Sequence, residues 1–161
     1  MFLSVLDVFK IGIGPSSSHT VGPMIAASRF IRNIYNLNNI TEVVRLQISL
    51  HGSLAFTGKG HGSDHAVILG LLGESPESLD TNSRNIMIKK IQRNKSIKIS
   101  KTQKICFDPL DDIVFDYEKN LPGHANGMRF SAFGKDKNIL IDKIYYSVGG
   151  GFVVNPDELE N

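Results

Sequence analysis

The chain has 161 residues, the length of one domain with room for a sizeable apolar core. Hydrophobic residues make up 41% of it, charged residues 21%, and the formal net charge is +2, so the balance of charge gives no reason to expect a nucleic-acid partner. No apolar run approaches the roughly 18 residues that a membrane helix needs. The N-terminal MFLSVLDVFK carries Asp7 and lacks a basic leader, so we expect neither a membrane partner nor a secretory signal.

Cys106 is the only cysteine in the chain. One thiol cannot form an internal disulfide, which favours a reducing, cytoplasmic setting. An iron–sulfur cluster takes several cysteine thiolates, so any such cluster would have to be held by another part of the protein.

The most distinctive stretch is GIGPSSSHT, from Gly12 to Thr20. Its glycine–proline turn is followed by three serines and His19. An amphipathic helix pattern then begins near Val21 and runs to about Asn36, with an apolar stripe formed by Met24, Ala27, Ile31, Ile34 and Tyr35. Serine and threonine oxygens satisfy free amides at a helix start, and amides left over favour an anion. The stretch predicts a small-anion site, for example for a carboxylate, next to an imidazole that titrates near neutral pH. An ordinary helix cap with extra serines would look the same.

Residues 42–51 alternate between apolar and polar side chains, which predicts a half-buried strand. His51 falls on the polar face, where we expect it to meet water.

The following segment, residues 52–65, is rich in glycine and is predicted to be a loop. Its glycines would let the backbone approach a ligand and the ring of His61 project. Ser63 and Asp64 would cap a helix over residues 64–72, which would be a second helix end suited to an anion. The segment lacks the Gly-x-x-x-x-Gly-Lys-Ser/Thr pattern of a phosphate-binding loop, so we reject nucleotide binding. A flexible connector is the alternative.

The rest of the chain alternates short helices and strands, which predicts an α+β fold with an antiparallel or mixed sheet and helices packed on one side.

A basic run from Thr81 to Phe107 contains eight Lys or Arg and no acid. No aromatic side chain lies between the charges to stack on bases, so we interpret the run as a solvated face. The acidic end, residues 157–161, resembles a terminus or linker. Two further helices are predicted at residues 2–10 and 82–94. Further strands are predicted at residues 97–99, 104–107, 113–115, 128–133, 139–148 and 152–154.

Four segments, in order along the chain, are FKIGIGPSSSHTVGPM, HGSLAFTGKGHGSDHA, LPGHANGMRF and YYSVGGGF. Together they resemble the N-terminal β region of bacterial iron–sulfur L-serine dehydratases, and the resemblance spans nearly the whole chain. This sequence departs from the family pattern at His65, Gly123 and Ala125.

The resemblance implies a β domain over residues 1–154 and a linker or end over residues 155–161, leading towards a C-terminal α domain or α chain. It implies a [4Fe–4S] cluster ligated outside this chain, with no metal ligand within it. The chain would be a fragment of a one-chain enzyme or the β subunit of a two-chain enzyme, inactive alone, cytoplasmic and part of a homo-oligomer. Its fold would be similar to the allosteric substrate-binding domain of phosphoglycerate dehydrogenases.

The implied reaction converts L-serine to pyruvate and ammonia. His61 is the preferred base for the Cα proton, and His19 is the second choice, with an alternative role in orienting the substrate. Asp64 would pair with the substrate ammonium or fix an imidazole tautomer. The remaining expected substrate-binding residues are Ser16, Ser17, Ser18 and Thr20, which would hold the carboxylate, and Asn126, Gly149 and Gly150, which would line the cleft.

Two other functions fit the same sequence. The chain could bind serine as an effector and do no chemistry, in which case loss of His61 would spare turnover and abolish the response to substrate. It could also be an assembly element, in which case neither histidine would matter.

Overall fold

The computed structural model describes residues 17–78 and 80–161. The predicted helix at residues 2–10 and Ser16 lie outside this part of the chain. The helices are α1 (Val21–Tyr35), α2 (Ser53–His61), α3 (Ser63–Leu71), α4 (Thr81–Asn94), α5 (Pro109–Asp112) and α6 (Pro156–Glu160), with a 3₁₀ turn at Ile40–Glu42. The strands are β1 (Arg45–His51), β2 (Ser96–Lys98), β3 (Lys104–Cys106), β4 (Ile113–Asp116), β5 (Gly127–Phe133), β6 (Ile139–Gly149) and β7 (Phe152–Val154).

The main sheet has five strands in the order β4-β1-β5-β6-β7, and β2 and β3 form a separate hairpin. Strand β4 pairs with β1 in parallel, while the β1–β5, β5–β6 and β6–β7 pairs are antiparallel. The predicted α+β class with a mixed sheet is therefore confirmed.

One face of the sheet carries the core. The alternating apolar residues of β1 and β5 face each other in register, with Ile48 opposite Phe130, and Phe30 of α1 packs on Phe130 with ring centroids 5.3 Å apart. The other face is polar: Arg129 donates two hydrogen bonds to Asp142, at 3.0 and 2.6 Å. This alternation is what made β1 predictable from sequence.

Helices α1 and α3 approach closely because Gly70 has no side chain. A Cβ at Gly70 would lie 2.2 Å from the carbonyl oxygen of Met24 and 2.7 Å from the Cβ of Ala27. The contact fixes α1 above the sheet and against the helix that follows α2.

The predicted glycine-rich loop is wrong, since residues 53–61 form helix α2. Gly52 and Gly62, with φ of 58° and 75°, adopt the left-handed conformations needed at the two ends of this helix. Between them Leu54 and Ala55 are buried, and Gly58 packs closely on Ser63. Tertiary packing therefore outweighs the low helix propensity of glycine.

Three smaller expectations also fail. Strand β1 begins at Arg45 because a 3₁₀ turn occupies residues 40–42. Tyr35, expected in the apolar stripe of α1, is 51% exposed. The N-cap of α3 is Gly62, and the Ser63 hydroxyl instead donates to the carbonyl oxygen of His19.

The acidic end of the chain forms helix α6. Asn155 and Glu158 make a capping box, and Glu158 forms an ion pair with Arg29 of α1 at 2.9 Å. The domain boundary after residue 154 stays a prediction.

We predict that Gly70→Ala destabilises the chain by about 1–3 kcal/mol, because the new methyl group must displace the backbone of α1. Chemical denaturation followed by circular dichroism measures the change in the free energy of unfolding. Gly60→Ala is the matched control, since a Cβ at that helical position meets nothing within 4 Å, and it should be neutral or stabilising by up to about 1 kcal/mol. Equal stability of the two variants would contradict the predicted close approach.

Candidate active site

The N-terminal end of α1 meets α2 and α3, and two predicted catalytic residues come together there. His19 lies just before α1 and is only 8% exposed. His61 is the last residue of α2. Their ring centroids are 5.0 Å apart, with the rings tilted by 53°. Sequence motifs that are far apart in the chain thus form one imidazole pair.

Hydroxyl groups contact both ring nitrogens of His19. The Oγ of Ser18 lies 2.8 Å from Nδ1. The Oγ of Ser53 lies 3.1 Å from Nε2, and the Oγ1 of Thr57 lies 2.9 Å from the same nitrogen. Ser63 donates to the backbone carbonyl of His19, so the main chain of this residue is held as well as its ring.

The pKa of His19 is lowered from its ordinary value. Burial, which disfavours the imidazolium, is the main cause, and the nearby charge of His61 lowers the pKa further. A hydrogen bond involving Ser53 acts in the opposite direction. His19 therefore stays neutral to lower pH than a free histidine, which suits a group that accepts a proton or a hydrogen bond near pH 7.

The first turn of α1 is closed by the backbone. The N–H of Gly22 donates to the carbonyl of Ser17 at 2.9 Å, and the N–H of Met24 donates to the carbonyl of Thr20 at 3.1 Å. Thr20 is the N-cap residue but its side chain makes no capping hydrogen bond, so the predicted hydroxyl cap is wrong at this residue. Ser17 and Ser18 are half-buried at this end of the helix.

The loop before β5 also lies beside the N-terminal end of α1. The carbonyl of Ala125 accepts a 2.8 Å hydrogen bond from the N–H of Ser53, which ties this loop to α2. Asn126 donates through Nδ2 to the carbonyl of Ser147 at 3.1 Å. Ser147 in turn lies against α1, because a Cβ at Gly22 would be 2.0 Å from its Oγ. Asn126 is thereby connected to the helix end that carries His19.

Asn126 also presents an unused acceptor. Within the described residues, its Oδ1 is buried and makes no hydrogen bond. A buried carbonyl oxygen without a donor is costly, and such groups often mark a place where a ligand or water binds.

Other predicted residues have different surroundings. Asp64 accepts a 3.0 Å hydrogen bond from the backbone N–H of His65. Gly149 and Gly150 adopt left-handed φ values of 99° and 64° between β6 and β7. His124 accepts a 3.0 Å hydrogen bond at Nδ1 from the N–H of Asn126.

The expectation that His51 meets water is wrong. It is 3% exposed, its Nδ1 lies 2.7 Å from the carbonyl of Lys119, and its Nε2 lies 2.8 Å from the hydroxyl of Ser49. A carbonyl can only accept, so Nδ1 carries a hydrogen, and in the neutral ring Nε2 accepts a hydrogen bond from the Ser49 hydroxyl. The polar face of β1 is covered here by the segment after β4, and His51 serves as a satisfied buried side chain.

Ser53 and Thr57 were not predicted to be part of the site, and Ser63 was predicted only as a helix cap. Ser53, Thr57 and His61 are spaced four residues apart, so in a helix all three lie on one face. The spacing was visible, but the intervening glycines led us to predict a loop.

The described residues do not fit the ligand set of a metal centre. In residues 17–78 and 80–161, no group of three or more His, Cys, Asp or Glu side chains is arranged to hold a metal ion, and Cys106 is an exposed free cysteine on β3. Across that same part of the chain, none of the helices combines the length and apolar character needed to span a membrane.

We predict that His61→Gln raises the pKa of His19 towards its ordinary value without restoring it fully, because the charge is removed but the burial remains. His65→Gln is the matched control, since His65 is exposed on α3, and it should leave the His19 pKa unchanged. NMR titration of the histidine ring signals measures both. An unchanged His19 pKa in His61→Gln would show that the two rings are not electrostatically coupled.

Comparisons with known proteins agree with this arrangement of motifs. A family model described as serine dehydratase beta chain matches residues 4–158. The chain is 45% identical over 158 residues to an L-serine dehydratase of Helicobacter pylori (strain ATCC 700392 / 26695), covering 98% of this chain and 34% of that protein. It is 46% identical over 157 residues to an L-serine dehydratase of Streptomyces coelicolor, with the same coverage of 98% and 34%.

L-serine dehydratase 2 of Escherichia coli K12 is 41% identical over 155 residues, covering 96% of this chain and 34% of that protein. The chain thus spans about a third of the length of the curated relatives it matches. Because the family model covers nearly the whole chain, the protein belongs to the serine dehydratase beta chain family.

Proposed function

We propose that this chain is the β part of an L-serine dehydratase, which converts L-serine to pyruvate and ammonia, and that it supplies acid–base and substrate-binding groups. The single observation that supports this most is the His19–His61 pair, with centroids 5.0 Å apart, in a chain 45% identical to an L-serine dehydratase. The pair lies at a helix end that is suited to a carboxylate.

The chemistry explains why imidazoles are needed. The Cα proton of serine is weakly acidic, so a base must remove it, and the β-hydroxyl is a poor leaving group. Loss of the Cα proton and the hydroxyl gives aminoacrylate, which tautomerises and hydrolyses to pyruvate and ammonia.

We assign the proton abstraction to His61. This ring is half-buried at the end of α2, whereas His19 is almost enclosed and is contacted by hydroxyl groups at both nitrogens. We therefore give His19, whose ring is held by these hydroxyls, the role of orienting the substrate.

We expect the substrate to bind at the N-terminal end of α1, between α2 and the loop before β5. The positive end of the α1 dipole favours the carboxylate of the amino acid, held by Ser16, Ser17, Ser18 and Thr20. The buried Oδ1 of Asn126, which lacks a donor within the described residues, would accept a hydrogen bond from the substrate. Asp64 would pair with the ammonium group, and Gly149 and Gly150 would line the cleft.

The remaining two thirds of the relatives' length would supply the partner. We propose that this partner is an α domain or α chain, that it ligates a [4Fe–4S] cluster, and that this chain alone is inactive. We further propose a fold similar to the allosteric substrate-binding domain of phosphoglycerate dehydrogenases, supported by the α+β class and the mixed sheet.

We predict that His61→Ala in the complete enzyme lowers kcat by about 10²–10⁴-fold, the contribution typical of a general base. The visible absorbance of the purified enzyme should be unchanged, because the substitution removes no metal ligand. Steady-state kinetics with L-serine measures turnover, and His65→Ala on the exposed face of α3 is the matched control, expected to retain activity.

Retained turnover in His61→Ala would remove this histidine as the base. If turnover survived and the response to serine concentration were lost, the result would favour a regulatory serine-binding module instead.

A further inference from the structure

Thr57 makes two contacts that together determine a proton position. Its hydroxyl donates to the carbonyl of Ser53, four residues earlier in α2, at 2.8 Å. The same oxygen lies 2.9 Å from Nε2 of His19. Threonine in a helix commonly bonds back to the carbonyl four residues earlier, so the helix itself orients this hydroxyl.

A hydroxyl has one hydrogen, and a backbone carbonyl can only accept. Because the hydrogen of Thr57 points to Ser53, its oxygen faces His19 with a lone pair. The Nε2 of His19 must therefore carry a hydrogen and donate it to Thr57. The Ser53 hydroxyl, 3.1 Å from the same nitrogen, rotates freely enough to donate or accept and does not select a tautomer.

The other nitrogen follows from this assignment. A neutral imidazole has one N–H, so Nδ1 of His19 carries a lone pair. The hydroxyl of Ser18, 2.8 Å away, donates to it. The hydrogen bonds then run in one direction, from Ser18 to His19, from His19 to Thr57 and from Thr57 to the carbonyl of Ser53.

We propose that Thr57 is a positioning residue that holds neutral His19 as the Nε2–H tautomer, so that Nδ1 is the nitrogen that gains and loses a proton. The tautomer follows from the contacts alone, while its effect on turnover rests on the proposed function. Thr57 contacts Nε2 of His19 and the carbonyl of Ser53, so we assign its effect on turnover to the orientation of His19.

The test uses the complete enzyme labelled with ¹⁵N-histidine, because ¹⁵N shifts distinguish protonated from unprotonated ring nitrogens. The His19 signals are identified by their loss in His19→Gln. Above its pKa, wild-type His19 should show an unprotonated Nδ1 and a protonated Nε2. Thr57→Ser should keep this pattern, Ser53→Ala should keep it too, and Thr57→Val should give a mixture of tautomers.

Kinetics on the same proteins tests the functional consequence. Thr57→Val should lower kcat/KM about tenfold, the equivalent of one ordinary hydrogen bond in the transition state, and Thr57→Ser should restore it. A wild-type His19 with its proton on Nδ1, or an unchanged tautomer in Thr57→Val, would overturn the proposal. If the tautomers behave as expected but His19 and His61 variants keep full turnover, the proposed function fails while the positioning role of Thr57 stands.

Discussion

The position of α1 depends on two glycines, Gly70 and Gly22, whose lack of a side chain lets neighbouring elements approach closely. Gly70 lets α3 reach the carbonyl of Met24, and Gly22 lets the first turn of α1 rest on Ser147 of β6. Both contacts are too close for any other residue. They place the end of α1 between α2 and the loop before β5, and that placement brings His19 to His61.

The site combines polar groups from five segments around the buried ring of His19. Burial of an imidazole is unfavourable for its charged form, and the hydroxyls of Ser18, Ser53 and Thr57 compensate by satisfying the neutral ring. Because Ser53 and Thr57 belong to helix α2 and hold Nε2 from a separate element, the ring of His19 is restrained from turning. Pre-organisation of this kind is what an acid–base site requires.

Much of the fold followed from periodicity. The alternation in residues 42–51 located β1, because the side chains of this strand divide between a buried face and a more exposed face. Helix α2 could not be found this way. Its glycines penalise a helix locally, and the burial of Leu54 and Ala55 that compensates for them is a property of the tertiary structure.

The prediction of a loop over residues 52–65 also left part of the site unrecognised. His19 and His61 were selected through motif resemblance, but Ser53 and Thr57 could be recognised only once their segment was a helix. His51 was misjudged for a related reason: the backbone carbonyl of Lys119, which buries it, comes from a segment 68 residues away in sequence.

The junction between α2 and α3 restricts which residue can occupy position 62. Gly62 alone separates the two helices, in a left-handed conformation with φ of 75°. The residue before it is His61, and the residue after it, Ser63, holds the main chain of His19. A Cβ at position 62 would meet nothing within 4 Å, so the restriction comes from the backbone: adopting the left-handed conformation would cost another residue about 1–2 kcal/mol. That cost would fall on the one residue that joins the helix carrying His61 to the helix that holds His19.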